Sequence, residues 1–330
     1  MRSSVMTFSR CLVLLLAGIP LITLSGCHVP QIGEQRLLYI DAYHPGEPSS
    51  DETLAGLYEV VAESRAGLDV FFLDTKRYPQ PEALAARVEE ALAAIHDTSP
   101  EVIIVSGDTA VDAVVAGHLA DGPIPCVFCA VDWNCEPYGL PTENVTGILR
   151  IPPVAETMAI LRPSYPSLKR IAVLSGEMTP PHDNEEVLNA IFAECQLTPT
   201  YASAETYEEW KLQFARVAGD VDVILLLANQ GIAGWDEADA QAFVRDYARL
   251  PVVTCDVSMT KYAMFGLCAA DREQGRRAAK TALRILRGKR PARIPIARSQ
   301  ETEAYINVTF AENVGFEPDD ELLSRCHHIE

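Results

Sequence analysis

What this 330-residue chain lacks narrows its reading first. It has no GxSxG elbow, no HExxH pair, no Walker loop and no GxGxxG turn. The nucleophile, zinc-hydrolase and phosphate-cradling geometries that such spacings encode therefore find no support. Carboxylates at strand ends could still act as general acids or bases, but no nucleophile sits in a recognisable setting, so no catalytic residue is assigned. Positive charge is scarce. Lys and Arg number 27 against 46 Asp and Glu, a formal charge of −19, which repels phosphate backbones and argues against nucleic-acid binding. Long apolar runs are scarce as well, and the one at residues 11–22 is too short for a comfortable bilayer span.

That short run has a context of its own. Arg2 and Arg10 stand before or at its edge, and Leu24, Ser25, Gly26 and Cys27 follow. This order resembles a bacterial lipoprotein signal, in which small residues admit a peptidase ahead of a cysteine that is lipidated. The expectation is a signal over residues 1–26, lipid (palmitate among it) on Cys27 and a tether over 27–35. A plain secretory signal with an incidental cysteine is the alternative, and both export the chain. Lipid on Cys27 would hold a folded domain at the cell membrane or in the periplasm without any spanning helix.

Nine cysteines in an exported chain invite a disulfide reading. Cys11 would leave with the signal and Cys27 would be lipidated, so an odd number remains. Cys126, Cys129, Cys195, Cys255 and Cys268 lie in or beside apolar runs, where cysteine behaves as a small buried hydrophobe. Cys126 and Cys129 have CxxC spacing, yet on a strand residues three apart point to opposite faces. Redox cysteines of that spacing need a helix N-terminus. A zinc site with Cys135 would lack an obvious fourth ligand. Neither metal nor cofactor is expected.

The remaining pattern is strand and helix in alternation, and its composition, 48% hydrophobic, is ample for a large core. Residues 124–147 organise it: an apolar strand over 126–131, a polar-aromatic loop, then a strand over 144–147. In open α/β sheets ligands bind beyond the carboxyl ends of strands, which singles out Asp132, Trp133 and Asn134. The same rule picks Asp41 and Tyr43 after strand 37–40, or else a loop that merely covers the sheet edge. It picks Lys76 and Arg77 after strand 68–72, though a solvated turn is the plainer reading there. After strand 102–105, Asp108 or Thr109 is placed either to cap the next helix or to reach a ligand.

The rhythm resumes at Val154, and its strand ends carry Asn229, Gln230 and Gly231, then Asp256 and Ser258. The loop TPPHD at 179–183 is stiff, with His182 a surface residue. An amphipathic helix over 271–287 should turn its basic residues to solvent. Strands near 294–296 and 304–308, a short helix and a polar tail close the chain. The division predicted is one α/β lobe over 36–148, with 268–300 returning to it, and a second over 149–267. The lobe of the closing segment 301–330 is open.

Several runs, in this order, carry a resemblance: YHPG at 43–46, LDTKR at 73–77, IPCVFC at 124–129, NVTG at 144–147 and PSLKR at 166–170. The tail adds GRRAA at 275–279, ILRG at 285–288, IPI at 294–296 and IN at 306–307. Together they resemble the exported substrate-binding proteins of ABC transporters, of the ABC_sub_bind type. The resemblance implies a type I periplasmic-binding fold: two Rossmann-like lobes with parallel sheets, a hinge and a central cleft. Relatives bind amino acids or similar small polar molecules, and a branch serves as the sensing domain of membrane signalling proteins. Ser49 and Ser50 stand where that branch commonly has an aromatic, and residues 176–183 replace its Thr- and Gly-rich loop, so the ligand should differ.

The function expected is a monomeric solute-binding lipoprotein that closes on a small polar ligand and delivers it to an ABC permease. The ligand-binding residues expected are Asp41, Tyr43, Asp108, Thr109, Asp132, Trp133, Asn229, Asp256 and Ser258. Trp133 or Tyr43 would stack on the ligand, and an ammonium group would meet Asp132, Asp108 or Asp256. The alternatives are a sensor that presents its bound form to a membrane kinase or receptor, and an exported cysteine-dependent or hydrolytic enzyme.

Overall fold

The computed structural model describes residues 35–78, 80–176, 182–229 and 231–329, the side chains of 182–184 excepted. The signal, Cys27, Gln230 and most of the TPPHD loop lie outside the described residues, as does the His182 side chain.

The first lobe begins as the alternating pattern predicts: β1 (Arg36–Asp41), α1 (Pro48–Val61), β2 (Gly67–Phe72), α2 (Pro81–Thr98), β3 (Val102–Ser106) and α3, the turn Asp108–Ala110 continued as a π-helical stretch Val111–Leu119. Two strands complete its chain-first part, β4 (Cys126–Asp132) and β5 (Val145–Arg150). The second lobe follows with α4 (Val154–Leu161), β6 (Arg170–Gly176), α5 (His182–Glu194), β7 (Thr198–Ala204), α6 (Tyr207–Ala218), β8 (Val223–Leu226), α7 (Glu237–Tyr247), β9 (Val252–Thr254) and β10 (Phe265–Ala269). The chain then runs through α8 (Asp271–Leu286), β11 (Ala297–Arg298), β12 (Thr302–Ile306), α9 (Val308–Val314), α10 (Asp320–Arg325) and β13 (Cys326–His328).

Two sheets result, in the orders β11-β5-β4-β3-β1-β2 and β13-β12-β10-β9-β8-β6-β7. All pairings are parallel except β10 with β12. The first sheet is covered on both faces. Leu38, Ile40, Val105 and Phe128 belong to one apolar cluster, while Leu37, Tyr39, Ile104 and Val127 join another with Ala278, Ala279 and Ala282 of α8. Alternate residues of each strand thus face opposite helix layers, which is why these strands read as unbroken apolar runs. Cys126 falls in the first cluster and Cys129 in the second, as strand geometry requires. Seven cysteines are free among the described residues, where no group of three or more His, Cys, Asp or Glu side chains is placed to hold a metal ion.

Helix α8 enters the first lobe by crossing α1 at very short range. A Cβ at Gly275 would stand 1.9 Å from the Thr53 carbonyl oxygen, and one at Gly56 would stand 2.1 Å from that of Arg272. Only glycine admits this approach. The expected solvated basic face of α8 is seen at Lys280, Arg284 and Arg287, which are exposed, and is corrected in its first turns by the same proximity. Arg272 donates to Glu52 at 2.6 and 3.0 Å and to Glu59 at 2.8 Å, and Arg277 pairs with Glu273 at 2.8 Å. Acidic α1 lies within reach of the Arg272 guanidinium, while Arg277 pairs within α8.

Three segments cross between the sheets, after β5, before α8 and between β11 and β12. They are laced together. The Ile151 N–H donates to Ser299 Oγ at 2.9 Å, the Ser299 N–H to the Leu149 carbonyl at 2.9 Å, and the N–H groups of Gln300 and Glu301 to Glu273 Oε2 at 2.8 Å each. The strand expected near 294–296 lies slightly later, at β11, because Pro291–Arg293 forms a tight turn first. The tail read as polar ends in β13, which adds to the edge of the second sheet beside β12.

Candidate functional site

The carboxyl ends of strands from both sheets converge on a cavity of about 690 Å³. Seven of the nine ligand-binding residues expected from sequence line it: Tyr43, Asp108, Asp132, Trp133, Asn229, Asp256 and Ser258. Asp41 and Thr109 do not. Asp41 is only 1% exposed and accepts from Tyr39 Oη at 2.6 Å, the Tyr43 N–H at 2.9 Å and Ser50 Oγ at 2.8 Å. Burial raises its pKa against the pull of these bonds. Its role is to fix the loop that carries Tyr43.

One irregularity in β4 sets the site's centre. The register steps from Phe128 opposite Gly147 to Val131 opposite Leu149, so β4 holds one extra residue, and Ala130 takes a φ of +51°. Such a bulge re-aims the side chains that follow it. Without it Val131 would stand beside Arg150; with it Asp132 does. The displaced Ala130 N–H donates to Gln274 Oε1 of α8 at 3.2 Å. Arg150 then donates to Asp132 through Nε at 2.6 Å and Nη2 at 3.1 Å, and through Nη1 to Asp271 at 3.0 Å and Ser49 at 3.5 Å. Burial disfavours the guanidinium charge, but Asp132 and Asp271 outweigh it and hold the pKa well above its ordinary value. Asp271 is pushed up to about 6 by burial, against the pull of Arg150.

Asp108 is not a helix cap. Gly107 occupies the N-cap position with no side-chain bond, and the Asp108 carboxylate turns instead to Tyr138 Oη at 2.7 Å and the Asp132 N–H at 3.2 Å. Burial first, and then the Asp132 charge, push it up to about 7. Trp133 adopts a φ of +64°, an uncommon backbone state for a bulky residue. The residue is 6% exposed and belongs to the second lobe's apolar cluster with Val154 and Met158. Most of the ring is therefore committed to the hinge, leaving little of it as a stacking platform. Tyr43 is occupied too: Lys76 lies 4.3 Å from its ring centroid while pairing with Glu47 at 2.7 Å. Lys76 thus lines the cavity, whereas Arg77 pairs with Asp74 at the surface, 59% exposed.

From the second lobe, Asp256 Oδ1 accepts from the N–H and Oγ of Ser258 at 2.8 and 2.7 Å. This caps the turn Val257–Tyr262 and fixes both side chains at the cavity. The Asn229 side chain has no hydrogen-bond partner among the described residues. Sequence reasoning missed Arg150, Asp271, Tyr138 and Glu47 as lining residues, whereas Thr75 stands beside Lys76 at a strand end that the rule reaches. The strand-end rule would have found Arg150 had β5 been read to its full length. The others come from helix starts and loops, to which that rule does not apply.

No curated protein matches the sequence. Solved structures that resemble the fold include an ABC domain from Streptococcus pneumoniae in complex with L-Trp, with 15% identity and a TM-score of 0.68, covering 90% of this chain and 100% of that one. A conserved domain protein from Vibrio cholerae has 20% identity and a TM-score of 0.69 over 90% of this chain and 99% of its own. The ligand-free, open form of a substrate binding protein with adhesive properties from Clostridium difficile has 15% identity and a TM-score of 0.67, again over 90% and 99%. These likenesses establish the two-lobed α/β fold with parallel sheets that is typical of type I periplasmic-binding proteins. A family model extends the match from fold to sequence across residues 47–329, and the chain belongs to the ABC transporter substrate binding protein family.

Proposed function

We propose that this chain is a lipid-anchored extracytoplasmic receptor that captures a small polar solute between its lobes and delivers it, as a monomer, to an ABC permease. One observation carries the reading. A cavity of about 690 Å³ is lined from both lobes, by Asp108, Asp132 and Tyr43 on one side and Asn229, Asp256 and Ser258 on the other. That volume is in the range of small-molecule sites, and the pneumococcal structure holds a small solute, L-Trp. A solute touching both sets of groups would favour the closed arrangement, with the laced crossing segments as the hinge.

Lipid on Cys27 would keep the receptor beside its permease. Among the described residues no helix is long and apolar enough to cross a membrane, so the anchor falls to residues 1–34. Cys27→Ala should move the protein from the membrane to the soluble fraction, and unchanged fractionation would remove the anchor from this account. Cross-linking in membranes should capture a permease. Capture of a membrane kinase or receptor alone would replace delivery with sensing.

A further inference from the structure

The cavity's charges are unevenly partnered. Each of its cations is already engaged: Arg150 with Asp132 and Asp271, Lys76 with Glu47, and Lys261 with Glu237. Four of the five N–H groups of Arg150 have acceptors, and the one left cannot supply the paired donors with which arginine grips a carboxylate. Drawing Arg150 away would strand the Asp271 carboxylate, 6% exposed, without its counter-charge.

The anions are the surplus. Asp108 is bonded to a hydroxyl and an amide but to no cation. Asp256 receives both of its bonds on Oδ1, leaving Oδ2 without a partner among the described residues. A second observation is independent of the carboxylates. Thr75 lines the same cavity, is 4% exposed, and its Oγ1 is buried with no hydrogen-bond partner among the described residues. A buried hydroxyl left unbonded is costly, and a bound solute that bonds to it recovers that cost.

We propose that the cavity selects an organic amine, a primary ammonium on an apolar body, over solutes that carry a carboxylate, with the ammonium on Asp256 Oδ2 and Asp108 and a hydrogen bond to Thr75 Oγ1. This rests on reading the cavity as the solute site. The apolar body has its place against Pro48, Pro137, Leu227 and Ile232, which line the same space. Selection arises from what is missing as well as what is present: among the described residues a carboxylate would find no free cation, and it would face Asp256 and Asp108, neither of them paired with a cation.

The test is calorimetric titration of the detergent-purified full chain with matched triplets: tyramine, L-tyrosine and 3-(4-hydroxyphenyl)propionate, then tryptamine, L-tryptophan and indole-3-propionate, then isoamylamine, L-leucine and 4-methylpentanoate. Neutral sugars and nucleosides complete the panel. At least one amine should bind about tenfold or more tightly than its amino acid, and the acids should not bind. Asp256→Asn, which keeps the Ser258 acceptor, and the near-isosteric Thr75→Val should each weaken the amine about tenfold while leaving the ligand-free melting temperature near that of wild type. An amino acid or acid that binds as well as its amine overturns the proposal, as does amine binding indifferent to both variants. Binding of a neutral or anionic solute with no amine overturns it while the solute-receptor reading stands. If nothing in the panel binds, both fall.

Discussion

Arg150 and Asp271 meet at 3.0 Å across the hinge, one ending the last strand before the chain leaves the first lobe and the other opening the helix that brings it back. Asp271 is 6% exposed, and its partner also holds Asp132 in a two-pronged grip. Arg150→Met would leave Asp271 buried without its counter-charge, at a cost of about 3 kcal/mol in urea unfolding. Arg150→Lys should fall between Met and wild type, because an ammonium cannot reproduce the fork. Equal stability of all three would show the pair to be incidental.

The crossing of α1 and α8 should be intolerant of a single methyl group. At Gly275 a Cβ would meet backbone, 1.9 Å from the Thr53 oxygen, which no rotamer change relieves. Gly275→Ala is expected to destabilise by at least about 1–3 kcal/mol. Gly219→Ala, where the nearest atom is 3.8 Å away, should have a small effect. A neutral Gly275→Ala in thermal melts would contradict the close crossing.

Acid should favour the folded protein through Asp108 and Asp271. Their ordinary pKa is 3.8, and in the fold they sit at about 7 and about 6. The folded state therefore binds more protons than the unfolded state between those values. This contribution is fully present below pH 4 and is lost as pH rises towards 7. Around Asp108 stand Asp132, Tyr138 and Arg150; around Asp271 stand Arg150, Ser49 and Asp256. Melting temperatures of wild type minus those of Asp108→Asn should fall from pH 4 to pH 7. A difference that rises or stays level contradicts the raised value.

Thiol titration should separate the cysteines into two groups. Cys126, Cys129, Cys135, Cys255 and Cys268 are buried, and burial raises the pKa of each. Cys195 and Cys326 are half-buried. Burial raises these two thiols as well, so exposure alone separates the groups: with Cys11 and Cys27 replaced by serine, the folded protein should react at Cys195 and Cys326 before the other five, which should react only after unfolding. Fast reaction at Cys126 or Cys129 in the folded protein would reopen a redox role for the CxxC spacing.

Much of the fold was legible because the runs at β1, β3 and β4 are apolar on both faces and punctuated by turns, the signature of buried parallel strands. Their ends led to Tyr43, Asp108 and Asp132 for the same reason. The centre of the site was not legible. Nothing in the CVFCAVD run announces the bulge at Ala130, and without the bulge the pairing of Asp132 with Arg150 does not arise. Asp271 looked like one more charge on an amphipathic helix. Its role depends on the Gly56 and Gly275 crossing, a contact between residues more than two hundred positions apart. Trp133 was found by the right rule, but its left-handed backbone turns the ring towards the second lobe's core. Such a tertiary choice has no local signal.

Solute binding that requires both lobes is the central claim, and a thermal-shift screen of wild type beside Asp108→Asn and Ser258→Ala tests it most directly. Some small polar solute should stabilise wild type saturably, by about 2.7 kcal/mol at a hundred times its dissociation constant. Each variant should shift that saturation to higher concentration, because one residue comes from each lobe. A solute whose binding ignores either substitution, or the lack of any stabilising solute, would contradict capture between the lobes.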